Sequence, residues 1–269
     1  MLNSRTRIEA SELRFIILKS HALAVRHSSA IAYYDSIQNE SSYQAAASSR
    51  QAQSFEALQS SAHEETAAYH WGADHLFALR AICKPPNAVL PLLQSEISRV
   101  KAVKDEWHDI INELIQGPGE SNATLGQMWE GEILRSYQNS VIGHIGTVSD
   151  GLLSQVVGVA LAMRDSGVSV SAENVIVIVA IKHHIKFFHL MITDTFHRRF
   201  KTLSPRDETA DLGSFLPVES TEWLDGAIMD GRQSIAHHVM ALVRWAKKIA
   251  MKESDDKVGN QDELTETSL

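Results

Sequence analysis

Cysteine is nearly absent from the sequence. Cys83 is the single cysteine among 269 residues, so the chain cannot form an intramolecular disulfide. Secreted proteins of comparable size more often carry paired cysteines. The sequence therefore predicts a protein of a reducing compartment, and we expect it to be cytoplasmic.

Long apolar runs are also missing. The longest covers residues 175–181, far fewer than the roughly 18 residues that a membrane-spanning helix needs. Near the N-terminus, the apolar stretch at residues 15–18 is too short, and its flanks too charged, for a signal or an anchor. We expect no membrane segment.

Positive charge is in deficit. The 25 Lys and Arg residues are outnumbered by 33 Asp and Glu, which gives a formal net charge of −8. This balance opposes tight nonspecific binding to a phosphate backbone, because that affinity comes mainly from Lys and Arg displacing counterions. Histidine, in contrast, is abundant. The chain has 13 histidines, each of which can titrate near neutral pH or bind a metal ion.

Several motifs that mark enzyme classes do not occur. The sequence has no Gly-rich phosphate loop, no Gly-x-Ser-x-Gly elbow and no Cys-x-x-Cys pair. These absences disfavour Walker-type nucleotide hydrolysis, α/β-hydrolase chemistry and zinc ribbons.

Apolar residues recur at helical spacing in six segments, separated by polar, proline or glycine breaks. The segments are residues 8–38, 43–83, 89–116, 125–163, 171–203 and 221–252. Glycines divide the fourth segment into two helices. We predict an all-α fold, a bundle of about six to seven helices, some of them long, that forms a single domain over residues 1–252.

Two segments need a separate interpretation. The β-branched run at residues 175–179 is also compatible with a strand, but it continues without a turn signal into a helical pattern, so we predict a buried helix. Residues 253–269 have almost no apolar side chains and a surplus of acids. Ordering them would cost entropy without compensating burial, so we predict a disordered acidic tail.

The last predicted helix contains an arginine followed by two histidines, Arg232, His237 and His238. This spacing resembles the Arg-x4–6-His motif of the HEPN superfamily, helical bundles that include metal-independent ribonucleases. The resemblance covers seven residues. It implies a homodimer in which the histidine handles the proton of the attacking 2′-hydroxyl and the arginine stabilises the phosphorane charge, with no cofactor.

A helical projection places these side chains relative to the apolar stripe of that helix. Arg232 and His238 flank the stripe, whereas His237 points away from it. His238 is therefore the better partner for Arg232. The structural alternative is an amphipathic helix with solvated basic residues and a flanking histidine.

Basic residues near phenylalanines suggest a surface for RNA, since cations position phosphates and aromatic rings stack on bases. A solvated face with its aromatic residues in the core is the alternative. The predicted nucleic-acid-binding residues are Lys182, Lys186, Arg198, Arg199, Arg244 and Lys248.

Histidines on the second predicted helix suggest a metal site. His63, His70 and Asp74 lie on one helical face, and a histidine and an aspartate four residues apart can hold one ion. His183, with Asp194 and His197, would provide the remaining ligands from the fifth helix. Histidines hydrogen-bonded between packed helices are the alternative interpretation.

Three functions follow from these patterns. The first is a HEPN-like metal-independent endoribonuclease of toxin or defence type, acting as a homodimer on RNA. The second is a non-enzymatic helical interaction or scaffold protein that oligomerises or binds a protein partner. The third is a helical bundle that binds a metal through His and Asp.

Overall fold

The computed structural model describes residues 17–19, 32–50, 52–61, 71–102, 147–166, 173–207 and 212–266, the last 14 of them as helical backbone. These residues form a mixed β-sheet of six strands accompanied by eight α-helices. The predicted all-α helical bundle is therefore wrong. Within the described ranges, no helix is both long enough and apolar enough to cross a membrane.

The strands are β1 (Ile17–Lys19), β2 (Ala81–Cys83), β3 (Asn174–Ile181), β4 (His184–Met191), β5 (Leu216–Ser220) and β6 (Leu224–Asp225). The helices are α1 (Tyr33–Ser36), α2 (Glu40–Ser49), α3 (Phe55–Ser61), α4 (Ala73–Ala78), α5 (Gln94–Ala102), α6 (Asp150–Asp165), α7 (Asp194–Arg199) and α8 (Met229–Glu266). Short 3-10 turns precede α5 and β5, at Pro91–Leu93 and Leu212–Ser214.

The sheet has the strand order β1-β3-β4-β5-β2, and β6 pairs separately with β4. β3, β4 and β5 are antiparallel neighbours, whereas β1 is parallel to β3 and β2 is parallel to β5. β6 pairs antiparallel with His184 and Ile185, the first two residues of β4. The start of β4 is therefore flanked by β3 on one edge and by β6 on the other.

The two faces of the sheet bury two separate cores. Alternate side chains of a strand point to opposite faces, and on β4 Phe188 belongs to one core and Phe187 to the other. The first core includes Val177 of β3 and residues of α6. The second includes Ile178 of β3 and residues of α5 and α8. The sheet therefore lies between two helical layers.

The predicted fifth helix is replaced by β3, β4 and α7. Strands buried on both faces have continuous β-branched and aliphatic runs, and residues 175–179 are all buried between the two cores. The turn after β3 consists of Lys182 and His183, which are not typical turn residues. A strand pair whose turn lacks the usual residues has the sequence pattern of one long helix, which is why the helical prediction is wrong.

The predicted second helix is divided as well. Its residues form α2, α3, α4 and strand β2, with residues 62–70 outside the described part. Asn39 caps the start of α2 by accepting a hydrogen bond from the amide of Ser42, as short polar N-cap residues commonly do. Residues 204–219, which lie between the fifth and sixth predicted helices, contain most of β5. Propensity and breaks alone do not locate β2 at the edge of the sheet or β5 beside it.

The last helix differs from its prediction at both ends. It begins at Met229 rather than near residue 221, because Leu224 and Asp225 form β6. It continues to Glu266, through most of the segment predicted to be a disordered tail. The first half of α8 packs on α5 and β6, which positions the start of this helix beside the turn between β3 and β4.

Candidate metal centre

The turn between β3 and β4 presents two histidines side by side. Ile181 pairs with His184 across the hairpin, which leaves Lys182 and His183 as the two connecting residues. Lys182 has a φ of 56°, in the left-handed region that favours glycine. His183 is thus at the apex of a tight turn, and His184 is the first residue of β4.

The short strand β6 places a carboxylate opposite these histidines. Asp225 is the direct cross-strand partner of His184, and side chains in such a position have their Cβ atoms about 5 Å apart. The amide of Gly226 donates a hydrogen bond of 2.7 Å to the carbonyl oxygen of His183. Backbone pairing therefore holds Asp225 against both histidines.

The three side chains converge on one point. One ligand atom each of His183, His184 and Asp225 lies within 4.8 Å of the other two. His183 Nε2 is 3.5 Å from Asp225 Oδ1. Two ligands of a tetrahedral ion with bonds of about 2.0 Å are about 3.3 Å apart, so this pair already has a suitable spacing.

The environment of His184 suits a metal ligand. Burial lowers the pKa of His184 below its usual value, and the neighbouring His183 lowers it further. A lowered pKa favours the neutral imidazole that a metal ion requires. Its Nδ1 atom is buried and has no hydrogen-bond partner among the described residues. A buried ring nitrogen without a partner costs free energy, and an ion bound by this ring would remove that cost if Nδ1 is the ligand.

The turn after β6 is braced by the start of α8. Asp225 Oδ1 accepts a hydrogen bond from the amide of Ala227 at 2.8 Å. Arg232 Nη1 donates to the carbonyl oxygens of Ala227 at 2.9 Å and of Gly226 at 3.4 Å. Arg232 is therefore a positioning residue for the segment that carries Asp225.

The predicted catalytic residues have structural contacts. His238 is buried, its Nδ1 lies 2.7 Å from the carbonyl oxygen of Ser234, and its Nε2 accepts a hydrogen bond from the amide of Leu90 at 3.3 Å. Its ring stacks on Phe187. His237 is partly exposed. A substrate would have to displace both hydrogen bonds of His238 before its ring could transfer a proton.

The predicted nucleic-acid-binding residues occupy several places. Lys186 is buried in the core on the α6 side, where its Nζ donates to the carbonyl of Thr221 and burial lowers its pKa to about 8. Lys182 is exposed in the hairpin turn, and Arg198 and Arg199 are exposed on α7.

The other two members of that set, Arg244 and Lys248, meet the buried carboxylate of Glu96 on α5. Their nitrogens lie 3.8 Å and 3.6 Å from its oxygens. These ion pairs connect α8 to α5, so at least part of the basic character of α8 serves helix packing.

The metal ligands predicted from sequence are only partly the observed ones. His183 belongs to the cluster, whereas Asp74 is exposed on α4, near Arg50. His63 and His70 lie outside the described residues. The companions proposed from the fifth helix pair with α6 instead, Asp194 with Arg164 and His197 with Asp165.

Sequence reasoning missed His184 and Asp225. They are 41 residues apart in the sequence and meet only because β6 pairs with β4. The adjacent histidines at 183 and 184 were a visible signal, but a helical interpretation points neighbouring side chains about 100° apart and so hides their convergence.

A second polar network lies on the sheet. His189 Nδ1 is 3.2 Å from Glu219 Oε2, and Lys84 Nζ donates to Glu219 Oε1 at 2.8 Å. The hydrogen bond from His189, helped by Lys84, holds the pKa of Glu219 at about 2. Since His189 is buried and its other ring nitrogen meets Asn174 at 2.9 Å, this network joins β3, β4 and β5.

No protein-family model matches the chain, and neither a curated protein nor a solved structure is significantly similar to it.

Proposed function

We propose that the protein binds one divalent transition-metal ion, with zinc as the first candidate, through His183, His184 and Asp225. The observation that carries the proposal is the convergence of three ligand atoms within 4.8 Å of one another. The buried Nδ1 of His184 supports it, because histidine rings in proteins ordinarily satisfy their buried nitrogens.

The ligand set selects the class of ion. Two imidazoles and one carboxylate suit zinc, copper, nickel, cobalt or iron(II), whereas magnesium and calcium prefer oxygen ligands alone. Affinities for such a site rise from iron(II) to copper(II) in the usual order of divalent metals. Competition between zinc and magnesium therefore separates this site from a nonspecific acidic surface.

The site has three ligands from the described chain. A tetrahedral ion needs a fourth, which in catalytic zinc sites is a water or substrate and in structural sites a further protein side chain. The side chains of His183 and Asp225 are 42% and 33% exposed. The fourth position is therefore reachable from solvent.

Titration of the purified chain with zinc tests the proposal. Isothermal calorimetry should give one ion per chain, and cobalt(II) should produce the intense visible absorption of a tetrahedral site. His184→Ala and Asp225→Asn should each abolish stoichiometric binding.

The matched control is His197→Ala, which removes a histidine that pairs with Asp165 and is not a member of the ligand cluster. This variant should bind zinc as the unaltered chain does. If His184→Ala and Asp225→Asn retain full affinity, or if magnesium competes on equal terms, the proposal fails.

The ribonuclease hypothesis stays a prediction. It requires Arg232→Ala and His238→Ala to abolish RNA cleavage while helical content is preserved. The contacts of Arg232 with Gly226 and Ala227 and those of His238 with Leu90 and Ser234 instead favour structural roles. In the metal site, Arg232 supports the segment that carries Asp225.

A further inference from the structure

A pocket of about 400 Å³ opens where α2, α3 and α4 meet. Pockets of this size hold small molecules in many proteins. None of its wall residues belongs to the metal cluster, so what it binds is independent of the proposed metal ion. The walls are Arg50, Ala52, Gln53, Leu58 and Asp74.

Arg50 brings an oriented guanidinium group to this pocket. Its guanidinium carbon lies 5.0 Å from the ring centroid of Phe77, a cation–π contact that restrains the group. Its Nη1 is 4.0 Å from Oδ1 of Asp74, which is too far for a hydrogen bond. Within the described part of the chain, the side-chain nitrogens of Arg50 donate no hydrogen bond. Their donors are therefore available to a ligand.

A second arginine is held at the same wall. Arg206 is exposed, and its Nη2 donates a hydrogen bond of 2.9 Å to the backbone carbonyl oxygen of Arg50. Its side chain makes no other hydrogen bond with the described residues. Two guanidinium groups with unused donors thus occupy one wall of a pocket, in a chain whose formal net charge is −8.

The loop that carries Arg206 is fixed by Arg80, which is fully buried and has a φ of 50°. Arg80 Nη1 donates to the carbonyl oxygens of Ser204 at 2.8 Å and of Asp207 at 3.2 Å, on both sides of Arg206. Its Nε has no hydrogen-bond partner among the described residues. A buried charge, a left-handed φ and an unpaired N–H each cost free energy, and residues with such costs are concentrated at functional sites.

The chemistry of the walls selects the ligand. Guanidinium groups bind phosphate through paired, charge-assisted hydrogen bonds, and the apolar side chains of Ala52 and Leu58 provide contacts for an organic group. We infer that the pocket binds a small phosphate monoester, whose phosphate accepts hydrogen bonds from Arg50 and Arg206. Asp74 opposes this anion only weakly, because its side chain is 75% exposed and water screens its charge.

Calorimetric titration of the full chain with phenyl phosphate tests the inference, in about 0.15 M salt to screen nonspecific ion pairing. We expect one molecule per chain. Arg50→Ala and Arg206→Ala should each weaken binding at least about tenfold, and Arg50→Lys should weaken it too, because lysine keeps the charge but lacks the fork. The matched control is Arg99→Ala on α5, which packs on the other face of the sheet and should leave the affinity unchanged.

Two further measurements make the test specific. Asp74→Asn removes the opposing carboxylate and should tighten binding about two- to fivefold. Inorganic phosphate should bind more weakly than phenyl phosphate, because it lacks the group that contacts Ala52 and Leu58. Unchanged thermal unfolding of the Arg50 and Arg206 variants shows that they are folded. The inference is wrong if phenyl phosphate does not bind, if Arg99→Ala weakens binding as much as Arg50→Ala, or if inorganic phosphate binds as tightly as the ester.

Discussion

Gly231 lies directly against the backbone of Asp225: a Cβ atom added at Gly231 would be 1.8 Å from the carbonyl oxygen of Asp225. Real Cβ atoms do not approach backbone oxygens so closely, so any other residue at this position must displace the start of α8 or the end of β6. The glycine in the Asp-Gly-Arg sequence at residues 230–232 is therefore a packing requirement of the candidate metal centre.

Gly231→Ala should lower the free energy of unfolding by about 3 kcal/mol, as overpacking at a buried position does. Because Asp225 must move, zinc affinity should fall as well. Chemical denaturation and calorimetry measure the two effects.

Gly72→Ala is the matched control for this change. A Cβ at Gly72 would meet nothing within 4 Å, so the cost should stay below about 1 kcal/mol, that of a poorer N-cap. If the two substitutions lower the free energy of unfolding by the same amount, the close approach of Gly231 to Asp225 does not contribute to stability.

The ring of His238 gives a second test, since it hydrogen-bonds at both nitrogens and stacks on Phe187. His238→Ala removes a buried side chain and leaves the amide of Leu90 without its acceptor. We expect a loss of about 2–4 kcal/mol in the free energy of unfolding, measured by urea denaturation.

The adjacent His237→Ala provides the comparison, because His237 is partly exposed and surface substitutions usually change stability by about 0.5 kcal/mol or less. The ribonuclease hypothesis makes the opposite prediction for His238→Ala, namely an intact fold with lost RNA cleavage. A stable His238→Ala variant would contradict the packing role.

Some local features could be predicted from the sequence, and the sheet could not. The apolar stripe predicted for α8 is observed in part, because helical periodicity acts within a single element: Leu242 and Ala246 are buried, whereas Val239 of the same stripe is 41% exposed. Strand pairing is nonlocal: β5 and β2 are adjacent although about 135 residues separate Cys83 from Val218. Hydrophobic pattern alone does not encode which distant strands meet.

The candidate site shows the same limit. The sequence predicts His183 as a metal ligand, but its partners depend on the hairpin turn and on β6, a strand of two residues. Lys182 adopts a positive φ where sequence reasoning expects Gly, Asn or Asp. Because this turn lacks the usual residues, neither the hairpin nor the site that depends on it could be predicted from the sequence.

The pKa of Glu219 gives a pH test. The hydrogen bond from His189, with the contribution of Lys84, lowers this pKa from its usual value near 4.5 to about 2. A depressed carboxylate pKa stabilises the folded state fully above about pH 4.5, and the contribution is lost as pH falls toward 2. Because solvent screens this pair in part, the contribution is about 2 kcal/mol.

Free energies of unfolding of the unaltered chain and of Glu219→Gln, measured between pH 7 and pH 2.5, check this prediction. The difference between them should be constant down to about pH 4.5 and shrink below it. Glu222→Gln, which changes an exposed neighbour, controls for the loss of one charge. A difference that does not depend on pH would contradict the ion-pair network around Glu219.

The strained turn residue gives the last prediction. Lys182 has a φ of 56°, and a residue with a Cβ atom in the left-handed region costs about 1 kcal/mol or more relative to glycine. Lys182→Gly should therefore raise the free energy of unfolding by about 1 kcal/mol, despite the added freedom of glycine in the unfolded chain. Lys182→Ala removes the same side chain but keeps the strain, so it should bring no gain.

Thermal unfolding of the two variants separates relief of strain from loss of a lysine. Both variants should still bind one zinc ion, because Lys182 supplies no ligand and the histidines keep their place in the hairpin. If Lys182→Gly is no more stable than Lys182→Ala, Lys182 does not adopt the left-handed conformation. The hairpin turn that brings His183 close to His184 and Asp225 would then be contradicted.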